Sequence, residues 1–335
     1  MEYRNLGRTG IKISALGFGC GAVGGLLIKG AHKDKVAVVA RAIESGITYF
    51  DTARAYGDGQ SEASLGRVLE ELNADVIIGT KVNLLPEEMA DIRTSIFASV
   101  EGSLRRLRRE QVELIQLHNV VRQERQPERG WVSLADVEAA LDAFETLKQQ
   151  GKVRHYGING LGDTGVLHEA IALGRAETVQ SCYNLLNPTA GMPAARAFPF
   201  QDYEQLIDKA AAQGIGVIAI RVLAAGALSG TPDRAANAAP RVTPIGTAAT
   251  YAKDVALAQR FDFLAEEGYV KSLVEAAVRF VLAKPEVSTA MVGISNMDQL
   301  DKAVTYANRG PLPAEAMARL DEVWSGFANT EERDL

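Results

Sequence analysis

The sequence predicts a (β/α)8 barrel, the TIM barrel of eight parallel strands ringed by helices. Three observations predict it. Eight short, strongly apolar runs recur along the chain, as fits strands buried on both faces. Amphipathic helical patterns alternate with them, which favours a parallel β/α architecture. The 335 residues suit a barrel of about 250 plus insertions, and no Pro- or Ser-rich linker or shift in composition divides them. The chain therefore reads as a single domain over residues 1–335.

"YRNLGRTGIKIS" reads as an N-terminal β-hairpin with a glycine-containing turn. The barrel strands are "SALGFG" (14–19), "ITYFD" (47–51), "VIIGTK" (76–81), "VELIQLH" (112–118), "VRHYGI" (153–158), "TVQSCY" (178–183), "GVIAIR" (216–221) and "STAMVG" (288–293). After the first strand, Val36, Val39, Ala40 and Ile43 recur at helical spacing, with Asp34 as the expected N-cap. Val137, Ala140, Leu141, Phe144 and Leu147 repeat the pattern before the fifth strand. "IESG", "KQQG" and "AQG" end helices in glycine, as C-caps prefer. Residues 119–133 and 222–250 read as long βα connections, and "AEAMARLDEVWSGFA" as an extra C-terminal helix. In such a barrel the chemistry is expected among the βα loops at the strand C-termini.

A competing fold is announced by "GFGCGAVGG", where Gly19, Gly21 and Gly24 spell the dinucleotide fingerprint G-x-G-x-x-G of an open doubly wound sheet. Its context fails twice. No helix opens at the glycines, because "GGLLIKGAHKD" is glycine-broken until Asp34. Twenty residues past Gly24 stands Glu44, inside a helical pattern rather than at a strand end. The stretch reads better as the end of the first barrel strand and its loop.

Composition narrows the function. A net charge of −6 and a pI near 5.4 argue against a nucleic-acid or anionic-membrane surface. No run of about 18 apolar residues exists, and the N-terminus lacks the apolar core of a signal peptide. Two cysteines, Cys20 and Cys182, make no disulfide framework and suit a reducing cytoplasm; both read as packing residues. Four scattered histidines and no HExxH or CxxC give no metal site.

Four ionisable groups fall at three neighbouring strand ends, hence on one rim: Asp51, Tyr56 five residues later, Lys81 and His118. Taken singly, each has an ordinary reading as a cap, a surface charge or a hydrogen-bonded side chain. As a set they have complementary roles. A free tyrosine titrates near pH 10. A lysine ammonium within about 4 Å favours the phenolate by roughly 4 kcal/mol, about three pKa units, with burial opposing it. A carboxylate such as Asp51 keeps the lysine charged. The expected result is a tyrosine poised near working pH for general acid–base catalysis, beside a neutral histidine donor.

These residues carry a close resemblance. "YRNLGRTGIKISALGFG", "FDTARAYGDGQSE", "GTK", "SVEGSLRRLRREQVELIQLH", "GKVRHYGI", "VQSCYNLLN" and "MVGISNMDQL" resemble segments of the aldo-keto reductases, in that family's order, from residue 3 to about 300. The resemblance implies a metal-independent enzyme moving a hydride between a nicotinamide cofactor and a carbonyl or alcohol. It implies Tyr56 as proton donor, Lys81 and Asp51 as its tuning pair, and His118 as the orienter of the carbonyl.

It also implies the cofactor contacts. Gly19, Cys20 and Gly21 would lie beside the nicotinamide riboside, and Asp51 would be a further cofactor contact. Gln180 matches the residue that holds the nicotinamide amide. The family's "GxSN" reads "GING" here, so Asn159 takes the serine place and Gly160 the asparagine place, as in sugar-dehydrogenase-like members. After the seventh strand the stacking aromatic is absent at Ile220. Arg221 either meets the cofactor phosphates or makes a loop salt bridge, and the backbone around Leu223 and Gly226 would approach the pyrophosphate. Gly293, Ser295, Asn296 and Gln299 match members that grip the adenosine 2′-phosphate through polar groups, without the lysine and arginine used by others. The pattern favours NADP(H), with NAD(H) the alternative.

The function expected is reduction of an aldehyde or ketone. The alternatives are oxidation of an alcohol or aldose, an NADP-binding regulatory subunit, or a barrel enzyme on phosphorylated substrates. Substrate choice would lie in loops 82–90, 119–133 and 222–250 and in the tail after Phe327, with Trp131 and Tyr183 as candidate pocket walls. Oligomeric state is not legible.

Overall fold

The expected hairpin opens the chain: β1 (Tyr3–Asn5) pairs antiparallel with β2 (Lys12–Ser14). The computed structural model describes residues 1–327. The hairpin plugs one end of a closed barrel. Leu6, Ile11 and Ile13 pack with Tyr49, Leu114, Ile218 and Met291 in a cluster of their own. Arg4 donates to the carbonyls of Leu282, Lys284 and Val287, and Arg8 to those of Gly174, Ala176 and Gln213. The hairpin thus closes the end of the barrel at which the strands begin.

All eight expected barrel strands are present. They are β3 (Leu16–Gly19), β4 (Tyr49–Asp51), β5 (Ile77–Val82), β6 (Val112–Leu117), β9 (Val153–Gly160), β10 (Thr178–Cys182), β11 (Gly216–Ile220) and β12 (Val287–Gly293). They are parallel and close in chain order, β12 pairing back onto β3. Two further short strands, β7 (Val120–Val121) and β8 (Trp131–Val132), pair in parallel within the connection after β6.

The helices are α1 (Leu26–Lys29), α2 (His32–Glu44), α3 (Gln60–Glu71), α4 (Ile92–Leu107), α5 (Leu134–Gln149) and α6 (Thr164–Ala172), then α7 (Leu206–Ala212), α8 (Tyr251–Ala258), α9 (Phe263–Glu266), α10 (Leu273–Leu282), α11 (Met297–Ala307) and α12 (Ala314–Phe327). The five apolar residues expected to face inward from α5 are all buried, and Ser133 and Asp136 close its N-terminus as a reciprocal capping box. Helices α2, α5 and α7 stop two residues before a left-handed glycine, Gly46, Gly151 and Gly214.

Four readings need correction. A helix does open directly after Gly24 and Gly25, but α1 is a single turn that ends at Lys29, before Gly30. Helix α2 begins at His32 with Ala31 at the cap position, so Asp34 sits in the first turn, where its charge still suits the helix dipole. Its buried face is Lys35, Val38, Val39 and Ala42, because the Lys35 stem lies along the core and its Nζ donates to Ser64 Oγ at 2.8 Å. Tyr183 is a core residue, its ring 4.9 Å from that of Phe280. The expected C-terminal helix is α12, and the tail after Phe327 lies outside the described residues. Among the described residues no helix is long and apolar enough to cross a membrane.

Candidate functional site

The open end of the barrel gathers the four ionisable residues. Asp51 ends β4, Lys81 stands one residue before the end of β5, and His118 directly follows β6. Tyr56 lies in the turn before α3. Lys81 is 1% exposed, and its Nζ has three partners. It forms an ion pair with Asp51 Oδ1, donates to the Thr52 carbonyl at 2.8 Å, and reaches Tyr56 Oη at 3.3 Å. An ammonium has three hydrogens, so this set uses all of them. The Tyr56 ring stands edge-on to the His118 ring, with centroids 5.6 Å apart.

Asp51 is held from below as well. Its Oδ2 accepts from Tyr49 Oη at 3.1 Å and from Gln180 Nε2 at 2.7 Å. His118 is clamped through its backbone: its N–H donates to the Val82 carbonyl at 2.7 Å, and its carbonyl accepts from Asn159 Nδ2 at 3.0 Å. The next residue, Asn119, ties two rim loops together by bonding both the N–H and the carbonyl of Leu84 and the carbonyl of Gly130. Two buried polar atoms beside the site have no partner among the described residues, His118 Nδ1 and Asn159 Oδ1.

The electrostatics depart from the sequence expectation at one point. Burial acts against the Lys81 ammonium, yet Asp51 and Tyr56 together hold its pKa above the ordinary value. Burial also raises the Tyr56 pKa, and the nearby Lys81 charge only partly offsets it. Tyr56 is thus a firmly protonated acid at neutral pH rather than one poised there. Burial, then the Lys81 charge, lowers the His118 pKa to about 3, so its imidazole is neutral. Burial pushes the thiols of Cys20 and Cys182 up.

The remaining sequence-derived residues form two groups on the same rim. Gly19 pairs with Gly293 across β3 and β12, and a Cβ on Gly21 would stand 3.3 Å from the Tyr56 ring. Cys20 donates its N–H to the Asp51 carbonyl at 2.9 Å. Ser295 turns inward, its Oγ donating to the Gly24 carbonyl and its N–H to Gln299 Oε1. Asn296 caps α11 by accepting from the Gln299 N–H at 3.0 Å. A Cβ on Gly24 would lie 2.3 Å from Ile294 N, so this glycine lets two loops pack backbone against backbone.

The second group follows β11. Arg221 has a left-handed backbone and donates to the Thr243 carbonyl at 3.0 Å. Its charge is also among the influences that lower the Tyr56 pKa. Leu223 leads into a turn in which Ala224, Ala225 and Gly226 all have positive φ. Such a run in two alanines is strain of the kind that clusters at functional sites. Arg234 and Asn237 tie this loop across the rim to the Val23 and Ser295 carbonyls. Trp131, a candidate pocket wall, has the guanidinium groups of Arg122 and Arg129 over its ring, 4.8 and 4.7 Å from the centroid.

Two contributors escaped the sequence reading, Tyr49 and Asn119. Tyr49 carried a signal, since it lies two residues before Asp51 on one strand and therefore faces the same way. Asn119 carried none, because its partners come from distant loops.

Known proteins resemble this chain along its length. The Aldo/keto reductase family profile matches residues 15–325. The L-galactose dehydrogenase of Arabidopsis thaliana is 29% identical over 98% of this chain and 96% of its own length. An L-glyceraldehyde 3-phosphate reductase of Escherichia coli is 26% identical over 96% of this chain and 92% of its own. A holo-form aldo-keto reductase from Bacillus halodurans superposes with a TM-score of 0.69 at 25% identity, covering 96% of both chains.

Proposed function

The chain belongs to the Aldo/keto reductase family, and from that premise we propose that it reduces the carbonyl of a small aldehyde or ketone with NADP(H), Tyr56 giving the proton. It is an oxidoreductase, as its family and relatives are. One observation carries the proposal: Lys81 is shared between Asp51 and Tyr56, with a neutral imidazole set edge-on to the tyrosine. The whole chain acts as one barrel domain in this reading, in a reducing cytoplasm where Cys20 and Cys182 remain thiols.

The residues fit a nicotinamide cofactor. The buried, unpartnered Asn159 Oδ1 suits a carboxamide N–H. Gln180 stands beside it, paired in register with Asn159 on the neighbouring strand. Gly19, Cys20, Gly21 and Gly293 offer close backbone approach. Arg221, Leu223 and Gly226 would hold phosphate groups, and the side-chain amide N–H groups of Asn296 and Gln299 at the start of α11 the 2′-phosphate, whereas Ser295, matched to that role in the sequence, has both its donors bound to Gly24 and Gln299 and would hold the loop. A bound nicotinamide supplies the hydride in reduction and takes it up in oxidation. His118 donates a hydrogen bond to the substrate oxygen and so fixes its position. Tyr56 Oη passes its proton to that oxygen, and Lys81 then stabilises the tyrosinate.

A second reading, oxidation of an aldose, has specific support. L-galactose dehydrogenase matches nearly the whole chain, and Gly160 stands where the resemblance expects asparagine. A Cβ at Gly160 would lie 2.4 Å from the Gln180 carbonyl, so the strand packing here demands glycine. In that direction Tyr56 acts as base.

The test is turnover by the purified chain on panels of aldehydes, ketones and aldoses in both directions, with NADPH or NADP and with NADH or NAD. Aldehyde reduction faster than aldose oxidation at neutral pH is expected. Faster aldose oxidation favours the second reading, and tight cofactor binding without turnover contradicts both. Fluorescence titration should show NADPH bound more tightly than NADH; the reverse order refutes the cofactor assignment.

A further inference from the structure

Beneath the proposed proton donor the barrel holds a fully buried tyrosine whose hydroxyl points at the catalytic carboxylate. Tyr49 is 0% exposed, and its Oη donates to Asp51 Oδ2 at 3.1 Å. The strand places both side chains inward, two residues apart. The barrel makes room for the ring on either side. A Cβ on Gly79, the register partner of Asp51, would stand 2.2 Å from Tyr49 Oη, and one on Gly17 would stand 3.2 Å from Tyr49 Cδ1.

We infer that Tyr49 is a positioning residue for proton transfer: with Gln180 it fixes the Asp51 carboxylate and thereby sets how Lys81 is shared between Asp51 and Tyr56. This rests on the reading of Tyr56 as the acid–base group. Asp51 is 5% exposed, so the few donors around it determine both its orientation and its effective charge. Lys81 occupies Oδ1, and Tyr49 and Gln180 share Oδ2. Without the Tyr49 hydroxyl, Asp51 keeps more unshared negative charge and draws the ammonium more strongly. The tyrosinate at Tyr56 is then less well supported, and the proton leaves Tyr56 less readily.

A phenylalanine would fill the same space, so mere filling of the barrel makes the hydroxyl dispensable. The pH dependence separates the two roles. The titratable or charged groups facing this cluster are Cys20 from the loop after β3, Tyr49 and Asp51 on β4, and Tyr56 in the turn before α3. Lys81 on β5, His118 after β6 and Arg221 after β11 complete them. Burial keeps Cys20 and Tyr49 protonated, and His118 is neutral down to about pH 3. The alkaline step therefore belongs to the coupled Tyr56–Lys81–Asp51 set.

The experiment compares wild type, Tyr49→Phe and Gly79→Ala, with NADPH and para-nitrobenzaldehyde for reduction and NADP with the matching alcohol for oxidation. Losing one hydrogen bond to a charged group should lower kcat about tenfold in Tyr49→Phe, with KM and the NADPH dissociation constant within about twofold of wild type. The alkaline step of the oxidative profile should move up by about half to one pH unit. Gly79→Ala, which displaces the same hydroxyl, should shift the profile in the same direction. An unmoved profile with kcat within about twofold overturns the inference, as does a loss expressed only in KM or cofactor binding. Turnover that survives Tyr56→Phe overturns the underlying reading and this inference with it, whereas an unmoved Tyr49→Phe profile in a Tyr56-dependent enzyme overturns this inference alone.

Discussion

Replacing Lys81 with methionine removes one charge and keeps most of the volume. The ammonium lies 3.3 Å from Tyr56 Oη, and at an effective dielectric of about 20 that separation corresponds to roughly 5 kcal/mol between full unit charges. Asp51, on the other side of Lys81, cancels part of it, and only part of a unit charge develops on Tyr56 during proton transfer. About 2–4 kcal/mol should remain, a loss of about 30- to 1,000-fold in kcat. The same change strands a buried carboxylate, which typically costs about 3–5 kcal/mol of stability. The double variant Asp51→Asn/Lys81→Met should recover much of that stability and none of the activity. Steady-state kinetics, thermal melting and NADPH titration of the three proteins read these effects separately. The reasoning is refuted if Lys81→Met turns over within about tenfold of wild type, or if the double variant regains activity along with stability.

Other consequences follow from the same geometry. Burial raises the Tyr56 pKa, so reduction should stay level through neutral pH and fall only beyond the ordinary tyrosine range, while oxidation, which needs the deprotonated form, should rise toward that range. With the His118 pKa lowered to about 3, neither profile should show a step near pH 6.5; such a step in kcat/KM contradicts the neutral-donor role. Gly24→Ala forces a methyl to within 2.3 Å of Ile294 N, and differential scanning should show a destabilisation of about 1–3 kcal/mol. An unchanged melting temperature for that variant means the two loops separate freely and do not form one packed rim.

Much of this architecture was legible because its strands are buried on both faces and write continuous apolar runs, such as "VIIGTK" and "VELIQLH". The four ionisable residues were legible because a parallel barrel puts every strand C-terminus on one rim. What escaped depends on distances and depth. The direction of the Tyr56 pKa turns on whether burial or Lys81 wins, and no spacing in sequence measures burial. The segment between β10 and α7 is organised by Asn184, Asn187 and Thr189 bonding to backbone groups, which leaves no periodic trace. Asp34 missed the cap of α2 because a helix start is poorly specified to within a few residues. Gly19, Gly21 and Gly24 matched a fingerprint by spacing alone: the first pairs with β12, the second faces Tyr56, and the third lets two loops touch.

The central claim is that Tyr56 carries the proton. Tyr56→Phe removes one oxygen from a ring that keeps its place against His118. NADPH should bind this variant within about twofold of wild type while kcat for aldehyde reduction falls by far more than tenfold. Turnover within about tenfold, a barrier change below about 1.4 kcal/mol, contradicts it and means another group supplies the proton.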